Sequence, residues 1–170
     1  MAILTLRTLP ERCLREKAQP VAQVDDRIRG LLEDMLETMY ACDGIGLAAN
    51  QVGLLERLAV MDVSAQGEKP APFKMVNPEI IWLSEEKQAV TQGCLSIPGY
   101  SAEVKRPRAL KLRYLDEHGQ QQQLEAEGWM AECIQHEIDH LNGILYIDHL
   151  SPLRRSLILR KLHKSKRHKE

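Results

Sequence analysis

The sequence predicts an α+β fold. Its first clear element is a helix over residues 24–44, and residues 57–127 then form a series of short β-prone segments separated by turns. Two more helical segments follow, at about residues 129–142 and 152–168. Because helices and strands do not alternate as βαβ units, we expect mainly antiparallel strands rather than a parallel sheet.

The first helix is amphipathic and has recognisable ends. Its apolar residues recur at spacings of three and four, which places them on one face: Ile28, Leu31, Leu32, Met35, Leu36 and Met39. Asp25 or Asp26 can cap the first turn, and we expect Gly44 to end the helix. The apolar face predicts packing against the core.

The middle of the chain predicts short strands. Segments rich in β-formers lie between turn residues and cover residues 57–63, 73–77, 79–84, 101–106, 109–116 and 121–127. Residues 116–120, with the sequence DEHGQ, predict the tip of a hairpin. Residues 91–100, with the sequence TQGCLSIPGY, are rich in Gly and Pro and predict a loop.

The C-terminal end is strongly basic. Ser151-Pro152 is a typical helix start, and this helix should extend to about residue 168. Residues 151–170 contain one acid, Glu170, and eight basic residues: Arg154, Arg155, Arg160, Lys161, Lys164, Lys166, Arg167 and Lys169. Such a segment favours contact with a polyanion, and a solvated helix end explains the same charges equally well.

The composition is that of a globular protein. With 170 residues, 44% apolar and 28% charged, we expect residues 1–170 to form a single domain. The net charge of −1 argues against general binding to DNA. No apolar run approaches the roughly 20 residues that span a membrane, and the N-terminus resembles neither a secretory signal nor a transit peptide. The four cysteines form no CxxC pair, which favours free thiols in a reducing cytoplasm.

Residues 136–140 have the sequence HEIDH, an HExxH pattern on the second predicted helix. His136 and His140 are one turn apart, so both imidazoles can bind one metal ion, and Glu137 can place a carboxylate beside the ion rather than on it. The alternative is a charged helix surface with two incidental histidines.

A catalytic site of this kind has three protein ligands and one open position. Tyr146 occupies the place of the third histidine that continues the pattern in one class of zinc peptidases, and no glutamate follows Glu137 before residue 170. His149 is a candidate, but it lies beyond a glycine break. Cys94 has suitable chemistry, because a thiolate binds zinc or iron(II) strongly. A free cysteine is also commonly a small buried hydrophobic residue.

Three motifs together resemble a known family. The segments GIGLAANQ (44–51), GCLS (93–96) and QHEIDHLNG (135–143), in this order and spacing, are similar to those of bacterial peptide deformylases. The resemblance implies hydrolysis of the formyl group from N-formylmethionine on newly made polypeptides. It also implies one divalent metal held by Cys94, His136 and His140, iron(II) in the cell and replaceable by zinc, nickel or cobalt. For the fold, it implies mainly antiparallel strands packed around a central metal-binding HExxH helix.

The resemblance also assigns roles around the metal. Glu137 is expected to carry a proton from water to the departing amine. The side chain of Gln51 and the backbone N–H of Leu95 are expected to stabilise the charge that develops on the formyl oxygen. The substrate would be lined by Ile45, Gly46, Gly93, Trp129, Glu132 and Cys133, with the last three bordering the pocket for methionine.

Two positions depart from the family pattern. Gln92 stands where glutamate is usual, so it keeps the capacity to hydrogen-bond to a cation such as Arg106 but lacks the charge. Glu132 stands where an apolar residue is common, and we expect its carboxylate to lie in water at the rim of the pocket or to alter side-chain preference.

The formylated nascent peptide is one implied partner, and the ribosome is a candidate second partner, because RNA phosphates attract the basic C-terminal helix. Two other functions compete with this one. A zinc endopeptidase would use His136, His140 and another third ligand. A catalytically weakened homologue would serve as a ribosome- or RNA-binding module.

Overall fold

The computed structural model describes residues 2–169 and contains three α-helices and seven strands. The helices are α1 (Asp26–Ala41), α2 (Gly128–Leu141) and α3 (Pro152–Arg167). The strands are β1 (Gly46–Ala48), β2 (Leu58–Met61), β3 (Phe73–Leu83), β4 (Lys87–Cys94), β5 (Ile97–Pro107), β6 (Ala109–Leu115) and β7 (Gln121–Glu127). All strand pairs named here are antiparallel, which confirms the α+β prediction.

The strands form two sheets. One has five strands in the order β1-β2-β3-β6-β7, and the other is the β4–β5 hairpin. Residues 116–120 do form the tip of the β6–β7 hairpin, with Gly119 at a φ of 75°. Among the described residues, no helix is long and apolar enough to cross a membrane.

The five-stranded sheet lies between α1 and α2. Side chains alternate between the two faces of a strand, and in β2 Leu58 and Val60 pack with α1 whereas Ala59 and Met61 pack with α2. A third apolar cluster joins the β4–β5 hairpin to the segment after α2 and to Leu162 of α3. Helix α2 therefore lies in the interior, with β1 and the hairpin beside it.

Helix α1 begins as predicted and ends slightly early. The side chain of Asp25 accepts a hydrogen bond from the N–H of Ile28 at 2.9 Å, so Asp25 is the cap. The expectation that Gly44 ends the helix was wrong by two residues, because Asp43 takes the left-handed conformation, with a φ of 54°. The N–H of Gly44 then bonds back to the carbonyl of Met39 at 2.9 Å.

Two strand predictions were incomplete. Residues 73–77 and 79–84 belong to one strand, β3, which passes Pro78 through an irregularity at Asn77. The Asn77 amide pairs with the backbone of Val21 through two hydrogen bonds of 2.8 Å, and this stabilises the left-handed residue inside the strand. Residues 91–100 are not a loop but the end of β4, a tight turn and the start of β5.

Candidate active site

Helix α2 brings two imidazoles together. The Nε2 atoms of His136 and His140 are 3.1 Å apart, and the two rings meet edge to face. Nine of the fourteen residues of α2 are buried, His140 among them, and His136 is half-buried, so this pair does not lie on a charged surface. The enclosure removes the alternative of two incidental surface histidines.

The β4–β5 hairpin brings Cys94 to the same place. Cys94 is the last residue of β4, and the turn of Leu95 and Ser96 follows it. Its Sγ lies 3.3 Å from His140 Nε2, and the ligand atoms of Cys94, His136 and His140 all lie within 4.8 Å of one another.

The two other candidates for a third ligand have different partners. The ring of His149 lies 2.8 Å from a carboxylate oxygen of Asp139, outside the cluster. The hydroxyl of Tyr146 donates to the carbonyl of Tyr100 at 3.1 Å. The ring of Tyr146 is stacked on that of His136, with the ring centroids 6.4 Å apart. Neither residue therefore belongs to the cluster, and Tyr146 packs against one of its members, His136.

The donor atoms fit a metal ion. In a tetrahedral site with bonds of about 2.0–2.3 Å, neighbouring ligand atoms are roughly 3.3–3.6 Å apart. The two separations that involve His140 Nε2, 3.3 Å to Cys94 Sγ and 3.1 Å to His136 Nε2, are close to this range. Burial lowers the pKa of His140 to about 3 and that of His136 well below its usual value, so both imidazoles keep a free lone pair. Burial raises the pKa of Cys94 to about 12, so a thiolate at this position needs a cation beside it.

Glu137 is enclosed beside β1. It is 4% exposed, and its Oε2 has no hydrogen-bond partner among the described residues. A Cβ on Gly46 would lie well inside contact distance of Glu137 Oε1, so only glycine at position 46 leaves room for the carboxylate. Burial raises the pKa of Glu137 to about 8.

Gln51 points its amide at the cluster of Cys94, His136 and His140. Its Oε1 accepts from the N–H of Ala48 at 3.0 Å, which orients the side chain. Its Nε2 then lies 3.2 Å from Ser96 Oγ and 3.6 Å from Cys94 Sγ, as a donor. The sequence analysis assigned no role to Ser96, although it is the last residue of the GCLS motif.

A cavity of about 600 Å³ opens beside the cluster. It brings together most of the residues that the resemblance named: Ile45, Gly46, Gln51, Gly93, Cys94, Leu95, Trp129, Cys133, His136 and Glu137. Trp129 and Ile45 are 52% and 40% exposed, so they form the open side of the cavity.

Glu132 is not among the residues that line the cavity. The expectation of a carboxylate in water at the rim was wrong, because Glu132 is only 5% exposed. Its Oε1 accepts a hydrogen bond of 2.7 Å from Gln88 of β4, and burial raises its pKa. Cys133 lines the cavity, whereas the adjacent Glu132 points toward the β4–β5 hairpin.

A buried guanidinium connects the two parts of the site. Arg106 of β5, 3% exposed, donates from Nε to Gln92 Oε1 at 3.0 Å and from Nη1 to Asp139 at 2.8 Å. Gln92 precedes Cys94 by two residues, and Asp139 is next to His140. The contact between Gln92 and Arg106 agrees with the sequence analysis. The sequence analysis missed Asp139 as a partner of Arg106, because Asp139 is at a variable position of the HExxH pattern and no neighbouring residue indicates its role.

Comparison with known proteins decides the family. The family model described as polypeptide deformylase matches residues 3–156. The chain belongs to the polypeptide deformylase family. It is 51% identical to the peptide deformylase of Phenylobacterium zucineum, over 96% of this chain and 97% of the relative. The enzyme from Rhizobium meliloti is 49% identical, over 97% and 95% of the two chains.

Solved deformylase structures agree with this fold. The deformylase of Ehrlichia chaffeensis in complex with actinonin superimposes with a TM-score of 0.92 at 41% identity, covering 98% of this chain and 99% of that one. The Legionella pneumophila deformylase superimposes with a TM-score of 0.90 at 41% identity, covering 99% of this chain and 98% of that one. This chain is thus a metal-dependent hydrolase that removes the formyl group from the N-terminus of newly made polypeptides.

Proposed function

We propose that Cys94, His136 and His140 hold one divalent metal, iron(II) in the cell, with zinc, nickel or cobalt able to replace it. The mutual distances of the three donor atoms and their mixed sulfur and nitrogen chemistry support this set. Three ligands leave one position open to water and substrate. When bound, such a metal acts as a Lewis acid that lowers the pKa of water and polarises the formyl oxygen.

Glu137 carries the proton of the reaction. Its carboxylate accepts a proton from the attacking water and donates one to the departing α-amine, so the same group is first a base and then an acid. Its enclosure against Gly46 supports this assignment, because the carboxylate has little room to turn away from the ligands. A pKa raised toward neutrality suits a group that must both take and release a proton.

Gln51 and Leu95 stabilise the developing oxyanion. The Nε2 of Gln51 already points at the ligand cluster, and its orientation is held by the N–H of Ala48 before substrate arrives. The backbone N–H of Leu95 is the second donor, next in sequence to Cys94. Preorganised donors of this kind are worth about 3 kcal/mol each in the transition state.

The peptide lies along the cavity between β1 and the hairpin. Ile45, Gly46 and Gly93 line it, and glycine allows close approach of a peptide backbone. The methionine side chain enters the part bordered by Trp129 and Cys133. Glu132 does not contact the peptide, because it is buried and bonded to Gln88 of the hairpin.

The ribosome is the proposed second partner, through the exposed basic face of α3, and the cytoplasm is the proposed location, where nascent peptides are made. In α3 only Leu162 is buried, which leaves the basic side chains in water. Replacing Arg160, Lys161 and Lys164 with glutamine should weaken binding to ribosomes and reduce its salt dependence. Binding that is unchanged by these substitutions and by added salt would exclude this role.

The function is tested by anaerobic purification, metal analysis and a deformylation assay. We expect one metal per chain, release of formate from a formyl-Met peptide, and inhibition by actinonin, which the Ehrlichia enzyme binds. Cys94→Ser should reduce both metal content and activity. Cleavage of internal peptide bonds by the Cys94→Ser variant with metal retained would instead support the endopeptidase, and no formate release with iron, nickel or cobalt bound would support the binding module.

A further inference from the structure

Gln92 lies in the wall of the cavity. It is on β4, two residues before Cys94, and its side chain is directed inward and 7% exposed. Apolar side chains such as Ile45, Ile97 and Trp129 form part of this cavity, and polar ones such as Gln51 and Thr91 form another part. The direction in which the two ends of the Gln92 amide point affects which ligands bind.

Arg106 determines that direction. Its guanidinium has donors only, so the amide oxygen of Gln92 must face Arg106 Nε, and the two atoms are 3.0 Å apart. Arg106 is itself held by Asp139 and is almost fully buried, so the amide cannot readily turn over. The –NH2 end of Gln92 therefore points away from Arg106.

That –NH2 group is a free donor at the cavity. Within residues 2–169, Gln92 Nε2 donates to no protein acceptor, and it is not one of the enclosed polar atoms that lack a partner. Its N–H groups thus face the open space that Gln92 lines. A ligand with an acceptor at this point gains a hydrogen bond, and a purely hydrocarbon ligand leaves the donor unpaired.

We propose that Gln92 determines side-chain specificity by donating from Nε2 to an acceptor in the first side chain, so that peptides beginning with formyl-methionine sulfoxide are substrates as well. This inference rests on the proposed use of the cavity for the first side chain. A thioether sulfur is a weak acceptor, whereas a sulfoxide oxygen is a strong one. The reaction is unchanged: water adds to the formamide, formate and the free amine leave, and the sulfoxide stays intact.

Three substrates measure the effect: formyl-Met, formyl-Met-sulfoxide and formyl-norleucine tripeptides that are otherwise identical. The informative quantity is the ratio of kcat/KM for the sulfoxide to kcat/KM for norleucine, which has no acceptor. Gln92→Glu is nearly isosteric, keeps the acceptor for Arg106 and replaces the donor by a carboxylate oxygen. We expect this ratio to fall at least about tenfold in Gln92→Glu, the size of one lost hydrogen bond.

Two further variants separate loss of the Nε2 donor from the added negative charge and from a nonspecific effect of substitution. Gln92→Met removes the donor without adding charge and should give an intermediate ratio. Gln123→Glu makes the same chemical change at an exposed position of β7 and should leave the ratio at the wild-type value. A ratio that is the same in wild type, Gln92→Glu and Gln92→Met would overturn the proposal.

Binding of the unformylated product peptides, measured by calorimetry, tests the donor without turnover. The affinity ratio of Met-sulfoxide to norleucine peptide should fall in Gln92→Glu by a similar factor. If wild type releases no formate yet this binding ratio responds, the proposed function fails and the donor role holds. If wild type deformylates formyl-Met but Gln92→Glu changes neither the kcat/KM ratio nor the affinity ratio, the proposed donor role of Gln92 is wrong and the proposed function is unaffected.

Discussion

Helices α2 and α3 are of similar length, 14 and 16 residues, but have opposite surroundings. Nine residues of α2 are buried, whereas α3 buries only Leu162. In α2 the acidic side chains and the two histidines have lost water, so their pKa values are shifted. In α3 the charged side chains remain hydrated. Changes in α2 should therefore alter chemistry or stability, and changes on the exposed face of α3 should alter neither.

The largest effect is expected at the enclosed carboxylate of α2. Glu137→Gln should lower kcat by about 10²–10⁴-fold, because the amide cannot transfer the proton, while metal content is retained. Glu127→Gln makes the same change at an exposed position just before the helix and should leave kcat unaltered. A Glu137→Gln enzyme with kcat within about threefold of wild type would contradict the proposed role.

The second effect comes from the neighbour of that carboxylate. Gly46→Ala should lower kcat/KM by about 10²-fold, because the added methyl group displaces Glu137 from its position beside the ligands. Gly30→Ala is the matched control, since a Cβ there meets nothing within 4 Å. That change should raise the free energy of unfolding by about 0.5–1 kcal/mol without affecting activity. Steady-state kinetics and thermal unfolding on both variants check the prediction.

The third effect concerns Arg106, which links Asp139 of α2 to Gln92 of the β4–β5 hairpin. Arg106→Met should reduce metal affinity about 10-fold or more and lower the free energy of unfolding by about 3 kcal/mol, because Asp139 and Gln92 lose a buried partner. Arg108→Met breaks only an exposed ion pair with Glu86 and should cost less than about 1 kcal/mol. Equal losses in the two variants, measured by metal titration and urea unfolding, would show that burial of Arg106 is not the cause.

A smaller effect is expected at Glu132. Burial raises its pKa above 4.5 in the folded protein, although the charge of Arg106 opposes the shift. The folded protein thus binds the proton more tightly than the unfolded chain, and stability falls as pH rises from about 4.5 through the folded pKa. Glu132→Gln should therefore raise the melting temperature at pH 7 and leave it unchanged at pH 3. Glu125→Gln removes a carboxylate of an exposed ion pair with Lys111 and should change the melting temperature at pH 7 little.

The smallest effect is expected on α3. Combined Arg160→Gln, Lys161→Gln and Lys164→Gln should leave kcat/KM for a short formyl-Met peptide within about twofold, and the free energy of unfolding within about 0.5 kcal/mol. A large loss of peptide deformylation would mean that α3 contributes to the active site, and the contrast between the two helices would no longer hold. Leu162 is left in place because it packs under the hairpin.

Much of the fold was predictable from local pattern. The apolar spacing of α1, the turn residues of the β6–β7 hairpin and the Ser151-Pro152 start of α3 all correspond to the observed elements. The prediction failed at the connection between β4 and β5, where Gly93 and Pro98 suggested a loop. Gly93 pairs with Ser101 and Cys94 with Ile97, while Pro98 lies in the irregularity between these pairs. Strand pairing depends on neighbours outside the local sequence, and here it overrides weak propensity.

The sequence by itself determined the part of the site that lies on one helix. The spacing of HExxH places His136 and His140 one turn apart wherever the helix lies, because helical hydrogen bonds act over four residues. Only the tertiary structure decided the rest: that Cys94 reaches these imidazoles, that Glu132 turns away from the cavity, and that Arg106 orients the amide of Gln92. These contacts depend on how the hairpin packs against α2, and packing is set by the whole core rather than by any one segment.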